Sequence, residues 1–159
     1  MTREPQRPRA EHAPGPLLAH IDNVVAYRIS PDDTVALAVL SGPRTSGSRT
    51  TVCFEVWQPG GSQPDNSHAA SSETFVVLQG AALAYSDGHE VLLRAGSVIV
   101  LAPGSVHRIV NTSTTERLYT VTVMDNDDGF EELILSGTPT PLTDADRAVF
   151  SGVAGTGRR

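Results

Sequence analysis

Short runs of β-branched, aromatic and other apolar residues follow one another through most of the chain, and turn residues separate them. They lie at residues 24–29, 35–40, 50–57, 74–79, 81–85, 90–93, 97–102, 107–111 and 118–124. Asp87-Gly88 joins two of these runs, and Asp-Gly between apolar runs predicts a β-hairpin because a type I′ turn needs positive φ at both central positions. Many short strands at this spacing predict an all-β sandwich or barrel.

The C-terminal part has a helical pattern instead. Residues 130–135 predict a short helix ending at Ser136-Gly137, and Thr143 is a suitable N-cap for a second one. We therefore expect a flexible arm at 1–16, a β-domain at 17–128, a short helical segment at 129–150 and a flexible tail at 151–159. The arm carries four prolines and little apolar surface, so it cannot offset the entropy cost of ordering.

Charge and hydropathy exclude several classes of partner. The net charge is −6 and the pI about 5.2, and the Arg-rich stretch is short and N-terminal, which argues against nucleic acid or an anionic membrane. No run approaches the roughly 18 apolar residues of a membrane span, and the N-terminus lacks the apolar core of a secretory signal. We expect a cytoplasmic protein whose partner is a small molecule.

The single cysteine, Cys53, cannot form an internal disulfide and is expected to fill the core.

Three residues carry the candidate chemistry. Glu73 starts a predicted strand, His68 lies in the loop before it, and His107 begins a later strand that can approach from an opposite sheet. Two imidazoles and one carboxylate suit a first-row divalent metal and leave coordination positions open for substrate or oxygen. On these residues alone, the opposite interpretation is the stronger one: a surface-loop histidine, a solvated glutamate and a histidine held by ordinary hydrogen bonds.

The spacing around these residues resembles the two motifs of the cupin superfamily. The first motif is Gly, five residues, His, one, His, three or four, Glu, six, Gly; the second is Gly, five, Pro, one, Gly, two, His, three, Asn. The positions on the first frame are Gly60, Asn66, His68, Glu73 and Gly80, and those on the second are Gly96, Ala102, Gly104, His107 and Asn111. Asn66 replaces the first histidine of the family, and Ala102 replaces the proline.

The resemblance implies a small antiparallel cupin barrel, a double-stranded β-helix or jelly roll, over residues 17–128, with short C-terminal helices. It also implies one divalent metal per chain, held by His68, Glu73 and His107, with Fe(II) favoured and Zn, Ni or Mn as alternatives. A neutral amide is a poor ligand for such metals, so we expect Asn66 to hold water or substrate beside the metal. Cupins often form dimers, and the nearly apolar outward residues of the strand at 74–79 agree with a homodimer.

Among small single-domain cupins, the chain is similar to the quercetinase-like members. This implies a dioxygenase that acts on a small aromatic or polyketide-like substrate, with Glu73 and Asn66 as the catalytic residues beside the metal. Two alternatives remain open: a cyclase or isomerase that uses the metal as a Lewis acid, and a cupin that binds a small ligand without turnover. Because a fold hosts many chemistries, the reaction rests on analogy.

Strand alternation predicts part of the pocket wall. If Glu73 points inward, Phe75, Val77 and Gln79 share its face. Ile109 likewise follows His107 inward. In the preceding strand, Cys53, Glu55 and Trp57 share one face and two apolar residues share the other, so the pattern leaves open which face is inside.

Overall fold

The computed structural model describes residues 15–152, in which two antiparallel sheets close on each other. The strands are β1 (Ala26–Arg28), β2 (Val35–Ser41), β3 (Thr51–Trp57), β4 (Glu73–Gln79), β5 (Ala81–Ser86), β6 (His89–Arg94), β7 (Val98–Leu101), β8 (His107–Asn111), β9 (Leu118–Met124) and β10 (Thr138–Thr140). The helices are α1 (Pro43–Ser46), α2 (Phe130–Leu135) and α3 (Asp144–Ser151), and a 3₁₀ turn covers Ile21–Asn23. The fold is all-β with short helices, as predicted.

The two sheets differ in size. The larger has the order β10-β1-β2-β3-β9-β4-β7 and the smaller has the order β6-β5-β8. The hairpin between β5 and β6 turns at Asp87-Gly88, where φ is 46° and 83°, as the sequence predicts. Gly80 separates β4 from β5 with φ of 94°, and a Cβ there would lie 3.1 Å from the Arg117 carbonyl oxygen. Only glycine suits that turn.

The main core fills the space between the two sheets. Trp57 and Phe75 from the larger sheet meet Ala84 and Ile109 from the smaller one, and each is 1% exposed. Cys53 lies in this core, fully buried, which confirms its predicted role as core filler. Glu55 shares its face of β3 and therefore also points into the barrel.

A second core covers the outer face of the larger sheet. Phe54 and Val56 of β3 are buried there, and Phe150 of α3 packs edge-on against Phe54 at 5.1 Å between ring centroids. Asp146 anchors α3, because its carboxylate accepts hydrogen bonds from Arg117 Nη1 at 2.7 Å and from the Tyr119 hydroxyl at 2.9 Å. Thr143 caps α3 in a capping box with Asp146, as expected for its N-cap. The strand β3 is therefore buried on both faces.

Three features differ from the sequence predictions. The segment 129–150 is not purely helical, since β10 pairs with β1 at the edge of the larger sheet. The helix α1 lies between β2 and β3, two predicted strands that the sequence separates only by turn residues. Gln79 is exposed rather than lining the pocket, because a register irregularity between Val77 and Gln79 interrupts the alternation of β4. Most of the predicted flexible arm and tail lies outside the described residues.

Helix α2 is fastened to α1 by one buried side chain. The Glu131 carboxylate is 1% exposed and accepts hydrogen bonds from the Arg44 and Thr45 backbone N–H groups at 2.6 and 3.0 Å. The Thr45 hydroxyl donates to it at 2.8 Å. A Cβ at Gly42 would lie 2.6 Å from the Glu131 side chain, so glycine makes room for this contact.

Candidate metal centre

The three candidate ligands come together from three parts of the chain. Glu73 is the first residue of β4 in the larger sheet, His107 is the first residue of β8 in the smaller sheet, and His68 lies in the loop before β4. Each offers one ligand atom, and these atoms all lie within 4.8 Å of one another. The sequence-based expectation that the residues converge from both sheets agrees with this geometry.

The spacing of the donor atoms fits one metal ion. His107 Nε2 lies 2.8 Å and His68 Nε2 lies 3.4 Å from Glu73 Oε2. Ligands at about 2.1 Å from a metal and at right angles to one another are roughly 3 Å apart. The donor set of two imidazoles and one carboxylate, together with these distances, could therefore hold a divalent ion.

The ring of His107 is oriented by its neighbours. Its Nδ1 lies 3.1 Å from the Ser105 carbonyl oxygen, an acceptor, so Nδ1 carries a proton and donates it there. Nε2 is thereby directed at Glu73 Oε2, where it can either share a proton with the carboxylate or bind a metal ion. Such an outer contact fixes the tautomer in histidine metal sites. His107 is 2% exposed, whereas His68 is partly exposed on the cavity side.

The electrostatics keep the central carboxylate ionised. Burial alone would raise the pKa of Glu73, but hydrogen bonds from His107 and His68 outweigh it and hold the pKa below its ordinary value. The hydrogen bond to Glu73 in turn raises the pKa of His68. A buried anion between two imidazoles is an attractive position for a cation.

A cavity of about 380 Å³ opens beside the cluster. Its wall includes His68 and Glu73 but not His107. Apolar side chains from β2, β3 and α2 form much of the rest, namely Val35, Leu37, Trp57, Phe130 and Leu133. The Phe130 ring packs edge-on to His68 at 6.3 Å between centroids. The volume is that of a pocket for a small molecule.

Asn66 lies next to the cluster and lines the same cavity. Its backbone N–H and carbonyl pair with the carbonyl and N–H of His107 at 3.0 and 2.9 Å. Its Nδ2 donates to the Pro64 carbonyl at 3.2 Å, while Oδ1 is buried and, within residues 15–152, has no hydrogen-bond partner. The amide oxygen is thus a free acceptor at the edge of the candidate site.

Glu55 is the cavity residue that the sequence could not place. It lies on the inner face of β3, is 3% exposed and lines the cavity. Its position inside an otherwise apolar run, TVCFEVW, is the signal that could have singled it out, because a buried carboxyl group without an evident partner is costly.

Other candidate residues have structural or surface positions. Asn111 satisfies backbone hydrogen-bonding groups, as expected. Its Nδ2 donates to the Gln58 and Glu116 carbonyls at 2.9 Å each. His89 is exposed, in agreement with the sequence. The pKa of the Cys53 thiol is raised well above its ordinary value by burial and then by the nearby Glu55 charge, so it is no nucleophile.

Comparison with known families decides the identity of the fold. Residues 53–124 match the family model described as a cupin domain. The chain contains a cupin domain. The matched region runs from β3 to β9 and contains all three candidate ligands. No curated protein sequence matches the chain.

Solved cupin structures share this fold. A predicted oxalate decarboxylase from Thermotoga maritima superposes with a TM-score of 0.61 at 22% identity, over 68% of this chain and 97% of that one. A Cupin 2 conserved barrel domain protein from Salinispora arenicola gives a TM-score of 0.54 at 25% identity, over 67% and 87% of the two chains. A recombinant oxalate oxidase in complex with glycolate gives 0.54 at 23% identity, over 64% and 55%.

Within residues 15–152, no helix combines the length and apolar character needed to cross a membrane.

Proposed function

We propose that this cupin is a metal-dependent enzyme, a dioxygenase acting on a small aromatic or polyketide-like molecule. The observation that carries the proposal is the convergence of His68, Glu73 and His107 beside a small, largely apolar cavity whose wall includes His68 and Glu73. Three protein ligands leave coordination positions open, as in non-haem Fe(II) oxygenases. Fe(II) is the favoured ion, with Zn, Ni or Mn as alternatives.

The charge of the cavity argues for an aromatic substrate over a small dianion. None of the described residues that line the cavity is Lys or Arg, so no fixed cation faces a second carboxylate of a substrate such as oxalate. Aromatic and aliphatic side chains line much of the wall and favour a ligand with an apolar body. The oxalate chemistry named for two of the similar structures is therefore not the chemistry that we propose here.

The residues of the chain have distinct roles in this proposal. A metal held by His68, Glu73 and His107 would supply Lewis-acid polarisation and open coordination positions for a substrate oxygen and O₂. Glu73 holds the ion and can take the proton of a substrate hydroxyl at its carboxylate. Asn66 Oδ1, the acceptor without a partner, orients a substrate hydroxyl or a water molecule. Phe130 and Leu133 of α2 exclude water from the mouth of the cavity.

Metal analysis and oxygen isotopes test the proposal. Protein purified without chelators should contain close to one transition-metal ion per chain, and the Fe(II)-loaded protein should consume O₂ with a panel of catechols and flavonols. With ¹⁸O₂, both labelled atoms should enter the product. Product formation without O₂ uptake would favour a cyclase or isomerase instead, and metal-dependent binding without turnover would favour a ligand-binding cupin.

A further inference from the structure

A buried carboxyl group faces the cavity away from the metal cluster. Glu55 belongs to neither cupin motif, yet its side chain reaches the same cavity as His68 and Glu73. Its neighbours on the wall include the apolar side chains of Val35, Leu37 and Trp57. A carboxyl group in such surroundings is costly unless it has a partner, and no Lys or Arg among the described lining residues supplies one.

A fixed chain of hydrogen bonds orients this carboxyl group. The indole Nε1 of Trp57, which can only donate, donates to Thr120 Oγ1 at 2.9 Å. The Thr120 hydroxyl therefore uses its own hydrogen to donate to Glu55 Oε2 at 2.9 Å. Because Oε2 accepts this bond, Oε1 is the atom left to carry a proton.

Glu55 is a neutral acid near pH 7. Burial, and then the negative charge of Glu73, raises its pKa to about 8, against the hydrogen bond from Thr120 that lowers it. A carboxylic acid kept neutral in an apolar site is a hydrogen-bond donor, the role that such groups have towards substrate oxygens in enzymes.

A second threonine hydroxyl lies close to Glu55. Thr122 Oγ1 is near enough to the Glu55 carboxyl group to lower its pKa, but it is buried and makes no full hydrogen bond within residues 15–152. Thr122 does not line the cavity, so the polar group available to a ligand on this part of the wall is the Glu55 carboxyl group itself.

This position lies at a distance from the metal cluster. In the pairing of β3, β9 and β4, Glu55 shares a row with Thr120 and Val77, whereas Glu73 shares a row with Thr51 and Met124. Four residues along a strand correspond to roughly 13 Å in a flat sheet, which the curvature of the barrel shortens. A ligand that reaches both positions therefore needs oxygen functions at two separate points of its body.

We propose that Glu55 is the specificity-determining residue of the cavity and that its Oε1–H donates a hydrogen bond to a carbonyl or similar acceptor oxygen at the end of the substrate remote from the metal. The inference rests on the proposed function, because it places the substrate in this cavity with its other end at the cluster. It narrows the substrate class to molecules with oxygen functions at both ends.

Two bicyclic probes test the contacts at the two ends of the ligand separately. Both 6,7-dihydroxycoumarin and 2,3-dihydroxynaphthalene carry a catechol for the metal, but only the coumarin has a carbonyl oxygen at the opposite end. Dissociation constants would be measured by titration calorimetry under anaerobic conditions with the metal-loaded protein. The variants are Glu55→Leu, Glu55→Gln and Thr122→Val. Asp33→Asn is the control, since Asp33 is another cavity-lining carboxylate.

The wild-type protein should bind the coumarin about ten times more tightly than the naphthalene, the effect of one hydrogen bond in a dry site. Glu55→Leu should abolish that preference without reducing the affinity for the naphthalene. Glu55→Gln should keep most of it, because the amide also donates, and Thr122→Val should keep it, because Thr122 does not line the cavity. Asp33→Asn should leave the ratio unchanged.

The outcome for Glu55 is separable from that of the catalytic proposal. A ratio that persists in Glu55→Leu, or that is absent from the wild-type protein, overturns the assignment of Glu55, as does failure of both probes to bind. The predicted ratio in a protein that turns over none of the panel supports Glu55 and contradicts the dioxygenase. Unchanged metal affinity in Glu55→Leu shows that the loss of preference for the coumarin does not arise at the metal cluster.

Discussion

His107 Nε2 lies 2.8 Å from Glu73 Oε2, although the two residues begin strands in different sheets. The contact joins the sheets at one end of the barrel, where two imidazoles and a carboxylate share a small volume. A metal ion at this point would link the larger sheet, the smaller sheet and the loop that carries His68. Metal binding and the stability of this end of the barrel are therefore expected to be coupled.

Removal of either imidazole should abolish tight metal binding. His68→Ala and His107→Ala each leave two ligands, which cannot hold a divalent ion against solvent. We expect a loss of at least about 100-fold in affinity for Zn²⁺ or Fe(II), measured by competition titration with a chromogenic chelator. His89→Ala, which removes an exposed histidine, is the matched control and should bind like the wild type. Wild-type affinity in His68→Ala and His107→Ala would show that the metal, if any, binds elsewhere.

Asn66 should affect the substrate more than the metal. Asn66→Ala removes the acceptor oxygen next to His107, so we expect metal affinity within a few-fold of wild type and a raised KM or lowered kcat. Asn66→His adds an imidazole at the family's ligand position and should tighten metal binding while reducing turnover by filling an open coordination position. Metal titration and steady-state kinetics on both variants measure these effects. Loss of metal in Asn66→Ala would identify the amide as a ligand.

The titration of Glu55 should make the metal-free protein less stable at higher pH. Its folded pKa of about 8 lies above the unfolded value of roughly 4.3, so the folded state retains a proton that the unfolded chain releases. The contribution of Glu55 to the free energy of unfolding is complete below about pH 4.3. It is lost as the pH rises towards 8, by up to about 1.4 kcal/mol per pH unit. Glu55→Gln should remove this slope.

Urea unfolding of chelator-treated protein at pH 5, 6, 7 and 8 measures the slope. Glu90→Gln, at an exposed position on β6, serves as the control and should follow the wild-type curve. Parallel curves for wild type and Glu55→Gln would show that Glu55 has an ordinary pKa in the folded protein.

The anchoring of α3 should contribute a large part of the stability of the outer core. Asp146→Ala removes a capping-box partner and leaves the Tyr119 hydroxyl and Arg117 without their acceptor. We expect a loss of roughly 2–4 kcal/mol in the free energy of unfolding. Asp144→Ala, at an exposed position in the same first turn, should change it by less than about 0.5 kcal/mol.

The same carboxylate adds a second pH dependence. Burial would raise the pKa of Asp146, but hydrogen bonds from Thr143, Arg117 and Tyr119 lower it below its ordinary value. Its contribution is therefore present above the unfolded pKa of about 3.9 and is lost as the pH falls through the folded value. The difference in unfolding free energy between wild type and Asp146→Ala should shrink between pH 5 and pH 2. A constant difference would contradict this assignment.

The sequence predicted the strands and the three clustered residues because both depend on local spacing. Turn residues mark the strand ends, and the motif frames place His68, Glu73 and His107. The orientation of Glu55 could not be predicted in this way. Both faces of β3 are buried, one in the barrel and one under α3, so its residues show no alternation of polar and apolar character.

Two other features depend on contacts distant in sequence. The strand β10 has three residues with Pro139 at its centre, a composition that does not favour a strand, and it exists because β1 offers an edge. The exposure of Gln79 follows from the irregular pairing of β4 with β9. Neither the partner strand nor the irregularity is visible in the local sequence.

Because Glu131 attaches α2 to α1, substitutions outside the barrel can change the shape of the cavity mouth. Phe130 and Leu133 line the cavity. Glu131, which lies between them in the helix, is held by the Arg44 and Thr45 backbone and has room only because residue 42 is glycine. A change at Gly42 or Thr45, which are not lining residues, would reposition the aromatic ring next to His68. Directed evolution of this protein for bulkier ligands should therefore yield selected substitutions in α1 as well as in the barrel.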